Sequence, residues 1–306
     1  MYDVIIIGSG PAGLSAALYA KRAMLDTLVI EEMPLSGGQI INTSDVDNYI
    51  GMPGVSGFEL AQAFRQHIDR YDVPFKTANV SRIEDNGEYK TVIIQDGERL
   101  DTRTVIIATG AKNRTLGVIG ETELTGRGVS YCATCDGGFY KNKITAVVGG
   151  GDVALEDAIY LSRICKKVYV IHRRDEFRGA KILADKVKAL ENIEILWNTT
   201  VERLNGSQRL ESVEIRNKLS EELSTLSLDG LFIAVGTVPN SAVAQGTAQL
   251  DSSGYIIADE SCKTSADGIF AAGDVRTKQV RQVITAAADG ACSVYSVEKY
   301  LAEMSF

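Results

Sequence analysis

Short apolar runs alternate with amphipathic stretches along the chain. The run Tyr2–Ile7 is rich in β-branched residues and is followed by glycine, which predicts a buried strand. Residues 14–22 have the apolar spacing of a helix, and the apolar run 27–30 predicts a second strand. Strand, helix and strand in this order are typical of an α/β sheet with parallel strands.

The same alternation restarts in the middle of the chain. Ile144–Val148 predicts a strand, residues 155–164 a helix and residues 168–171 a further strand. The repeat indicates a second unit that is built like the first.

The remaining segments belong to one or the other of these units. The patterns predict a helix over 57–70, a meander over 80–94, a buried strand over 104–110, a second meander after 201 and a strand over 231–236. From about Gly254 the chain returns to the first unit, with a strand over 269–274 and a long last helix that opens at 281–286. The first unit is therefore predicted to be discontinuous, with the second inserted into it.

A glycine-rich turn follows the first strand. Gly8-Ser9-Gly10-Pro11-Ala12-Gly13 is a G-x-G-x-x-G motif between a strand and a helix, which is the context of a dinucleotide site. Gly8 permits the turn, Gly10 lets a pyrophosphate approach the backbone, and Gly13 lets helix and strand pack closely. Glu31, after the next strand, lies near the spacing at which an acid binds a ribose hydroxyl; a solvated acid at a strand end is the alternative.

A second turn, Gly149-Gly150-Gly151-Asp152-Val153-Ala154, has the form G-x-G-x-x-A. The strand after it ends in a basic segment, 172–178, and not in an acid. Guanidinium groups match phosphate oxygens with charge-assisted hydrogen bonds, so Arg173 and Arg174 predict a nucleotide with a 2′-phosphate; a solvated basic turn is the alternative. His172 is expected to pack against the nucleotide, because no second histidine lies nearby to complete a metal site.

Two cysteines lie between the two nucleotide turns. The spacing of Cys132 and Cys135 is found in redox disulfides and also in half of a zinc site, and it decides nothing alone. Its position between the two turns favours a redox pair, and no further ligands at usable spacing indicate a metal. Asp136 follows directly and could hold or deliver a proton, or cap a helix.

Charge and composition argue against a nucleic-acid-binding, secreted or membrane-spanning protein. The net charge of the 306 residues is -8, and no run of Lys and Arg would track a phosphate backbone, which argues against nucleic acid as a partner. No signal peptide and no apolar run of membrane-spanning length are recognised, so we expect a cytoplasmic protein. Cys165, Cys262 and Cys292 adjoin apolar residues and are expected to be buried, inert thiols.

Together these motifs resemble the low-molecular-weight, bacterial-type thioredoxin reductases, NADPH-dependent class II pyridine nucleotide-disulfide oxidoreductases. The resemblance covers nearly the whole chain. It is carried by GSGPAG at 8–13, SGGQ at 36–39, CATCDGG at 132–138, GGGDVALE at 149–156, HRRDEFR at 172–178, AAGDV at 271–275 and RQVITAAADG at 281–290. The implied fold is α/β, with two Rossmann-like (three-layer ββα) nucleotide-binding domains, the second inserted into the first. The first, 1–113 with 243–306, would bind FAD, and the second, 114–242, would bind NADPH.

The resemblance also implies the residues that hold the cofactors. The FAD set is Gly8, Ser9, Gly10, Pro11, Ala12, Gly13, Glu31, Gly38, Gln39, Asn48, Thr109, Gly110, Gly273, Asp274, Arg281, Gln282 and Val283. The NADPH set is Gly149, Gly151, Asp152, His172, Arg173, Arg174 and Arg178.

The implied reaction is the reduction of a disulfide in thioredoxin or a thioredoxin-like protein. Hydride passes from NADPH to FAD, two electrons pass to the Cys132–Cys135 disulfide, and dithiol exchange with the partner follows. Cys135 would face the flavin, Cys132 would attack the partner, and Asp136 would protonate the leaving thiolate. A homodimer is implied, and so is rotation of the inserted domain on linkers near 111–117 and 238–243.

Three alternatives remain. A flavin dithiol oxidase or a ferredoxin-linked reductase would need neither the second glycine turn nor the arginines. A nucleotide-binding module could hold a structural zinc on Cys132 and Cys135 but lacks two further ligands. The reductase of a peroxide-reducing system shares these motifs but normally carries an extra N-terminal domain, which here would have to be a separate chain.

Overall fold

The chain folds into two compact units. The structure, a computed structural model, describes residues 1–43 and 46–304. The first unit comprises Met1–Lys112 and Val238–Phe306, and the second is Asn113–Thr237.

Seventeen strands and seven α-helices are present in the described ranges, together with short 3-10 helices. The strands are β1 (Tyr2–Ile7), β2 (Thr27–Glu31), β3 (Phe75–Thr77), β4 (Val80–Asp85), β5 (Lys90–Ile94), β6 (Arg99–Ile107), β7 (Ala111–Asn113), β8 (Val129–Ser130), β9 (Ile144–Val148), β10 (Lys167–Ile171), β11 (Ile193–Leu196), β12 (Thr199–Asn205), β13 (Ser212–Asn217), β14 (Leu223–Ser227), β15 (Gly230–Ile233), β16 (Thr237–Pro239) and β17 (Ile269–Ala271). The helices are α1 (Pro11–Arg22), α2 (Gly57–Asp69), α3 (Glu121–Leu124), α4 (Ala133–Asp136), α5 (Asp152–Ser162), α6 (Lys181–Ala189) and α7 (Val283–Met304).

The sheet of the first unit is parallel on one side and antiparallel on the other. Its order is β3-β2-β1-β6-β5-β4, and β17 also pairs with β6, parallel to it. The front half of β6 pairs with β5 as part of the antiparallel meander, and its second half lies between β1 and β17. Apolar cores cover both faces of the sheet, and one of them includes the buried faces of α1 and α7. This layering brings the carboxyl ends of β1, β2 and β17 to one edge.

The second unit repeats the parallel arrangement. Its five-stranded sheet has the order β11-β10-β9-β15-β8, all parallel, with α5 and α6 packed in the core on one face. The other face is covered by a three-stranded antiparallel sheet, β12-β13-β14. The short strand β8 ends one residue before the segment that carries the two cysteines.

The second boundary between the units differs from the expected 242/243. The structure assigns 238–242 to the first unit, because these residues bond within it. Asn240 donates its backbone N–H to the Gly110 carbonyl at 2.9 Å, and the Ser241 hydroxyl donates to the Gly254 carbonyl at 2.6 Å. The connecting strands β7 and β16 pair with each other.

Two local expectations are corrected. The last helix was expected to open at Arg281, but α7 begins at Val283, because the Gln282 carbonyl accepts the first helical N–H bond, from Ala286 at 2.9 Å. Cys292 was expected to be buried with Cys165 and Cys262, and it is exposed. It lies on α7 beside buried Ser293 and Val294 but on the solvent side of the helix.

Candidate functional site

Cys132 and Cys135 form a disulfide at the start of α4, with Cα atoms 5.3 Å apart. Cys132 precedes the helix in an extended conformation, and its carbonyl accepts the N–H of Asp136 at 3.1 Å. This bond closes the single turn of α4, which spans Ala133–Asp136. Both cysteines and Asp136 are partly exposed, whereas Ala133 is buried and anchors the turn in the core.

Asp136 is linked to Cys132 through Ser130, the last residue of β8. The Ser130 hydroxyl donates to Oδ2 of Asp136 at 2.5 Å and accepts the N–H of Cys132 at 3.1 Å. The acid predicted from the sequence is thus held beside the backbone of the first cysteine. Ser130 was not predicted to belong to the site.

A second carboxylate lies on the other side of Cys132 along the chain. Tyr131 donates its phenol to Oε1 of Glu121 at 2.7 Å, and Glu121 is only 3% exposed. Burial, the hydrogen bond that the phenol donates to Glu121 and the charge of Glu121 all raise the pKa of Tyr131, so the phenol stays a neutral donor. Neither residue was assigned a role from the sequence.

The first glycine turn is closed on one side and open on the other. A Cβ on Gly13 would lie 1.9 Å from the Gly8 carbonyl oxygen, so strand and helix are in backbone contact there. A Cβ on Gly10 would meet nothing within 4 Å. Gly10 is the N-cap of α1 and Pro11 its first residue, so the first N–H groups of the helix point toward that open space.

Glu31 lies at the end of β2 and is bound to this turn. Its Oε2 accepts both the N–H of Ser9 at 2.6 Å and the hydroxyl of Ser9 at 2.7 Å. Its Oε1 accepts the N–H of Met33 at 3.0 Å. A carboxylate can accept about four hydrogen bonds, so one further donor, such as a ribose hydroxyl, can still be accommodated.

The other members of the predicted FAD set come together in the first unit. A Cβ on Gly38 would lie 3.4 Å from the Cα of Gly10, and a Cβ on Gly273 would lie 2.9 Å from the Cβ of Ala12. Further contacts join Gln39 to the carbonyl of Ala111, Asn48 to Gln282 at 3.0 Å, and Thr109 to the carbonyl of Asn240 at 2.6 Å, beside Gly110. Val283 begins α7.

Asp274 and Arg281 each carry a buried polar atom that has no hydrogen-bond partner in the described ranges, Oδ1 and Nε respectively. Burial raises the pKa of Asp274, against the opposing charges of Lys278 and Arg281. The guanidinium of Arg281 lies 4.2 Å from the ring centre of Tyr255. Buried polar atoms without partners are rare in folded proteins and mark a place where a bound polar molecule fits.

The second glycine turn has the same construction as the first. Gly149, with φ +154°, approaches the Ala234 carbonyl, where a Cβ would lie 2.4 Å from the oxygen. A Cβ on Gly151, the N-cap of α5, would meet nothing within 4 Å. Asp152 accepts the N–H of Ala180 at 2.6 Å and so ties the basic loop to the helix N-terminus.

His172 is buried beneath the second glycine turn, whereas the three arginines of the basic segment lie at the surface. The His172 ring is 6% exposed, lies under Gly150, and approaches the Glu176 carbonyl at 2.9 Å through Nε2. Burial lowers the pKa of His172, and the ring therefore supports the turn as a neutral group. Arg173, Arg174 and Arg178 are exposed and form no ion pair with the part of the chain that the structure describes.

Residues 2–290 match the model of the pyridine nucleotide-disulphide oxidoreductase family. The chain belongs to this family. It is 43% identical over 305 residues to the thioredoxin reductase of Listeria innocua, covering 99% of this chain and 95% of that protein. It is 41% identical to the thioredoxin reductase of Bacillus subtilis, covering 99% and 96%. The crystal structure of thioredoxin reductase from Streptococcus pyogenes has a TM-score of 0.94 at 44% identity, with 99% of each chain covered.

These findings confirm the resemblance and the α/β fold class predicted from the motifs. No helix in the described ranges is both long and apolar enough to cross a membrane. No group of three or more His, Cys, Asp and Glu side chains suited to a metal ion is found in residues 1–43 and 46–304.

Sequence reasoning missed the residues that support these turns. Asp289 accepts the N–H of Gly273 at 2.9 Å and pairs with Arg276 and Lys278, each at 2.8 Å. Asp289 lies within the RQVITAAADG motif at 281–290, but it was assigned no role, because it is distant from Gly273 along the chain. Ser130 could have been found, because a hydroxyl two residues before Cys132 lies within reach of the turn.

Proposed function

We propose that the protein is an NADPH-dependent thioredoxin-disulfide reductase that carries FAD. The observation that carries this proposal is the Cys132–Cys135 disulfide, which is partly exposed and has Asp136 held beside it. Once it is reduced, a thiol pair in that setting can exchange with an external disulfide, and the relatives of the chain bear the name thioredoxin reductase.

The first unit offers the features that FAD requires. The helix N-terminus at Gly10 suits a pyrophosphate, Glu31 suits a ribose hydroxyl, and the unpartnered Oδ1 of Asp274 suits a further polar group. When bound, the flavin supplies two-electron transfer between a nicotinamide and a disulfide. Residues Gln39, Asn48, Thr109, Arg281 and Gln282 would hold it from the surrounding loops.

The second unit offers the features that NADPH requires. Open space in front of Gly151 admits a pyrophosphate at the N-terminus of α5. Arg173, Arg174 and Arg178 have no ion-pair partner among the described residues, so their guanidinium groups can bind a 2′-phosphate without giving up another carboxylate.

The chemistry of the chain's own residues is thiol–disulfide exchange. With the pair reduced, the Cys132 thiolate attacks one sulfur of the partner disulfide, and the other sulfur leaves as a thiolate. Asp136 gives its proton to that leaving thiolate. The Cys135 thiolate then attacks the sulfur of Cys132, which releases the second partner thiolate and restores the Cys132–Cys135 disulfide. Two electrons pass from the dithiol to the partner in these steps.

Thioredoxin or a thioredoxin-like protein is the proposed partner, and the proposed state is a homodimer in the cytoplasm. Rotation of the inserted domain on its linkers stays a prediction.

Anaerobic titration of the purified yellow protein with NADPH tests the function. Uptake of two electrons by the flavin and two by the disulfide is expected, followed by reoxidation on addition of oxidised thioredoxin. The Cys135→Ser variant should lose the second pair of electrons and keep the first. A protein that NADPH does not bleach would refute the proposal in favour of a nicotinamide-independent flavoprotein.

A further inference from the structure

Ser130 lies between the side chain of Asp136 and the backbone of Cys132 in the thiol site. It is the last residue of β8 and is 5% exposed. Its hydroxyl oxygen lies 2.5 Å from Oδ2 of Asp136, 3.1 Å from the backbone nitrogen of Cys132 and 3.3 Å from the backbone oxygen of Cys132. All three neighbours lie within the reach of one hydroxyl group.

The donors and acceptors at this hydroxyl balance when Asp136 is ionised. A serine hydroxyl has one hydrogen and accepts up to two hydrogen bonds. The N–H of Cys132 can only donate, so it occupies one acceptor position of the oxygen. The hydroxyl hydrogen then points to Oδ2, which gives a short bond to a charged acceptor.

The donors and acceptors also balance when Asp136 carries a proton. The carboxylic acid then donates to the hydroxyl oxygen, which still accepts the N–H of Cys132. The hydroxyl hydrogen turns to the Cys132 carbonyl, which lies 3.3 Å away. Rotation of one hydrogen therefore satisfies the Ser130 hydroxyl, Oδ2 of Asp136 and the N–H of Cys132 in both states, and a buried hydroxyl needs such satisfaction.

We propose that Ser130 is a positioning residue that holds the Asp136 carboxyl beside Cys132 in both of its protonation states. The inference rests on the proposed role of Asp136 as the acid in disulfide exchange. An acid that gives and regains a proton in every cycle must stay in place in both forms. A side chain that could only donate, such as a lysine, would favour the ionised form and could not accept the hydrogen bond of the protonated form.

The groups near Asp136 are few enough to separate their effects. Tyr140, on the turn after α4, has its pKa raised to about 12, by burial first and then by the charges of Asp136 and Asp229, so it does not titrate near neutrality. On α5, which packs against α4, Tyr160 contacts Gly137, and burial raises the pKa of Asp157 to about 7. The thiols of Cys132 and Cys135 lie within four residues of Asp136 along the chain. Asp157 is therefore replaced by Asn in the background used for pH profiles.

The test measures disulfide exchange in the holoenzyme by rapid mixing of NADPH-reduced protein with oxidised thioredoxin. Ser130→Ala should slow exchange roughly 10- to 100-fold, because one charge-assisted hydrogen bond is lost. Reduction of the flavin by NADPH, which does not use Asp136, should change by less than about twofold and shows that the variant is folded. Ser130→Thr keeps the hydroxyl and should restore most of the rate.

Ser162→Ala is the matched control. Ser162 lies in the same unit, is half-buried, and donates only to the Ile159 carbonyl within its own helix. Loss of its hydroxyl should leave exchange unchanged within about twofold.

A double-mutant cycle distinguishes positioning from a general structural role. In an Asp136→Asn background, Ser130→Ala should cost less than about twofold, because its effect acts through the acid. The pH limb that reports the acid should move to higher pH in Ser130→Ala, since loss of a donor disfavours the ionised carboxyl. An equal loss in both backgrounds, or an unmoved limb, would overturn the inference.

Different results would refute the acid role of Asp136 and the positioning role of Ser130. If Asp136→Asn exchanges at the native rate, the proposed acid role is refuted and this inference with it. If Asp136→Asn is slow while Ser130→Ala exchanges normally, the acid role stands and only the role of Ser130 is refuted.

Discussion

Glu121 accepts the phenol of Tyr131 at 2.7 Å, and the same buried carboxylate also accepts three backbone N–H groups. Those three belong to 116–118, near the start of the second unit, whereas Tyr131 directly precedes Cys132. One carboxylate thus connects the beginning of the inserted unit to the redox turn. A charge that is only 3% exposed is stable there because four donors surround it.

Removal of one of those donors should destabilise the protein. Tyr131→Phe leaves the buried carboxylate of Glu121 with three donors, and a hydrogen bond to a charged group contributes about 1.5 to 3 kcal/mol. We expect a loss of about 1.5 kcal/mol in the free energy of unfolding, measured as a lower urea midpoint at unchanged slope. The control is Tyr295→Phe, whose side chain is 60% exposed on α7 and which should leave the midpoint unchanged. Equal midpoints for both variants would contradict this account of Glu121.

Gly10 and Gly13 should respond differently to alanine. Gly13→Ala places a Cβ 1.9 Å from the Gly8 carbonyl oxygen, so the strand and helix must separate, at a cost of at least about 2 kcal/mol. Gly10→Ala meets nothing within 4 Å, and its φ of -70° suits any residue, so the fold should keep its stability within about 1 kcal/mol.

FAD binding should separate the same two variants. The added methyl of Gly10→Ala occupies the space through which a pyrophosphate would approach the helix, so FAD affinity should fall while the melting temperature of the FAD-free protein is kept. Titration of FAD-free protein followed by flavin fluorescence gives the affinity. Native affinity in Gly10→Ala would show that the pyrophosphate does not bind at this turn.

Arg174 should discriminate between the two nicotinamide nucleotides. Arg174→Ala removes a guanidinium that would contact the 2′-phosphate, so NADPH affinity should fall roughly 10- to 100-fold, with NADH little changed. Arg163→Ala is the matched control, because Arg163 is exposed at the other end of α5 and also changes the net charge by one. Equilibrium binding of NADPH and NADH to both variants measures these affinities. Equal losses for NADPH in the two variants would indicate long-range charge and not a 2′-phosphate contact.

The stability of the protein should fall as the pH rises toward neutrality because of Asp157. Burial and, to a smaller extent, the charge of Glu156 together raise the pKa of Asp157 from 3.8 to about 7. Between these two values the folded protein holds a proton that the unfolded chain has released. The free energy of unfolding therefore decreases as the pH rises through this window.

Asp157→Asn should remove that decrease and raise the stability above about pH 7. Thermal melts over the window measure the effect, and Glu191→Gln, at an exposed acid of the same unit, is the control. A native pH slope retained in Asp157→Asn would show that another group is responsible.

Much of the fold could be predicted because its signals are local. Strand β1, the two glycine turns and the helices after them follow from spacing within a few residues. The bounds were less accurate where tertiary contacts decide them. Gln282, predicted to lie inside α7, instead accepts its first hydrogen bond, and 238–242 belong to the first unit through the bonds of Asn240 and Ser241.

The sequence by itself determined the chemistry: a thiol pair followed by an acid, one nucleotide turn that leads to Glu31, and another that leads to Arg173 and Arg174. Only the tertiary structure decided which groups support that chemistry. The bonds of Glu121 to Tyr131 and of Asp289 to Gly273 join separate elements. Such partners depend on how strands and helices pack, because no spacing along the chain specifies which side chains meet across a core.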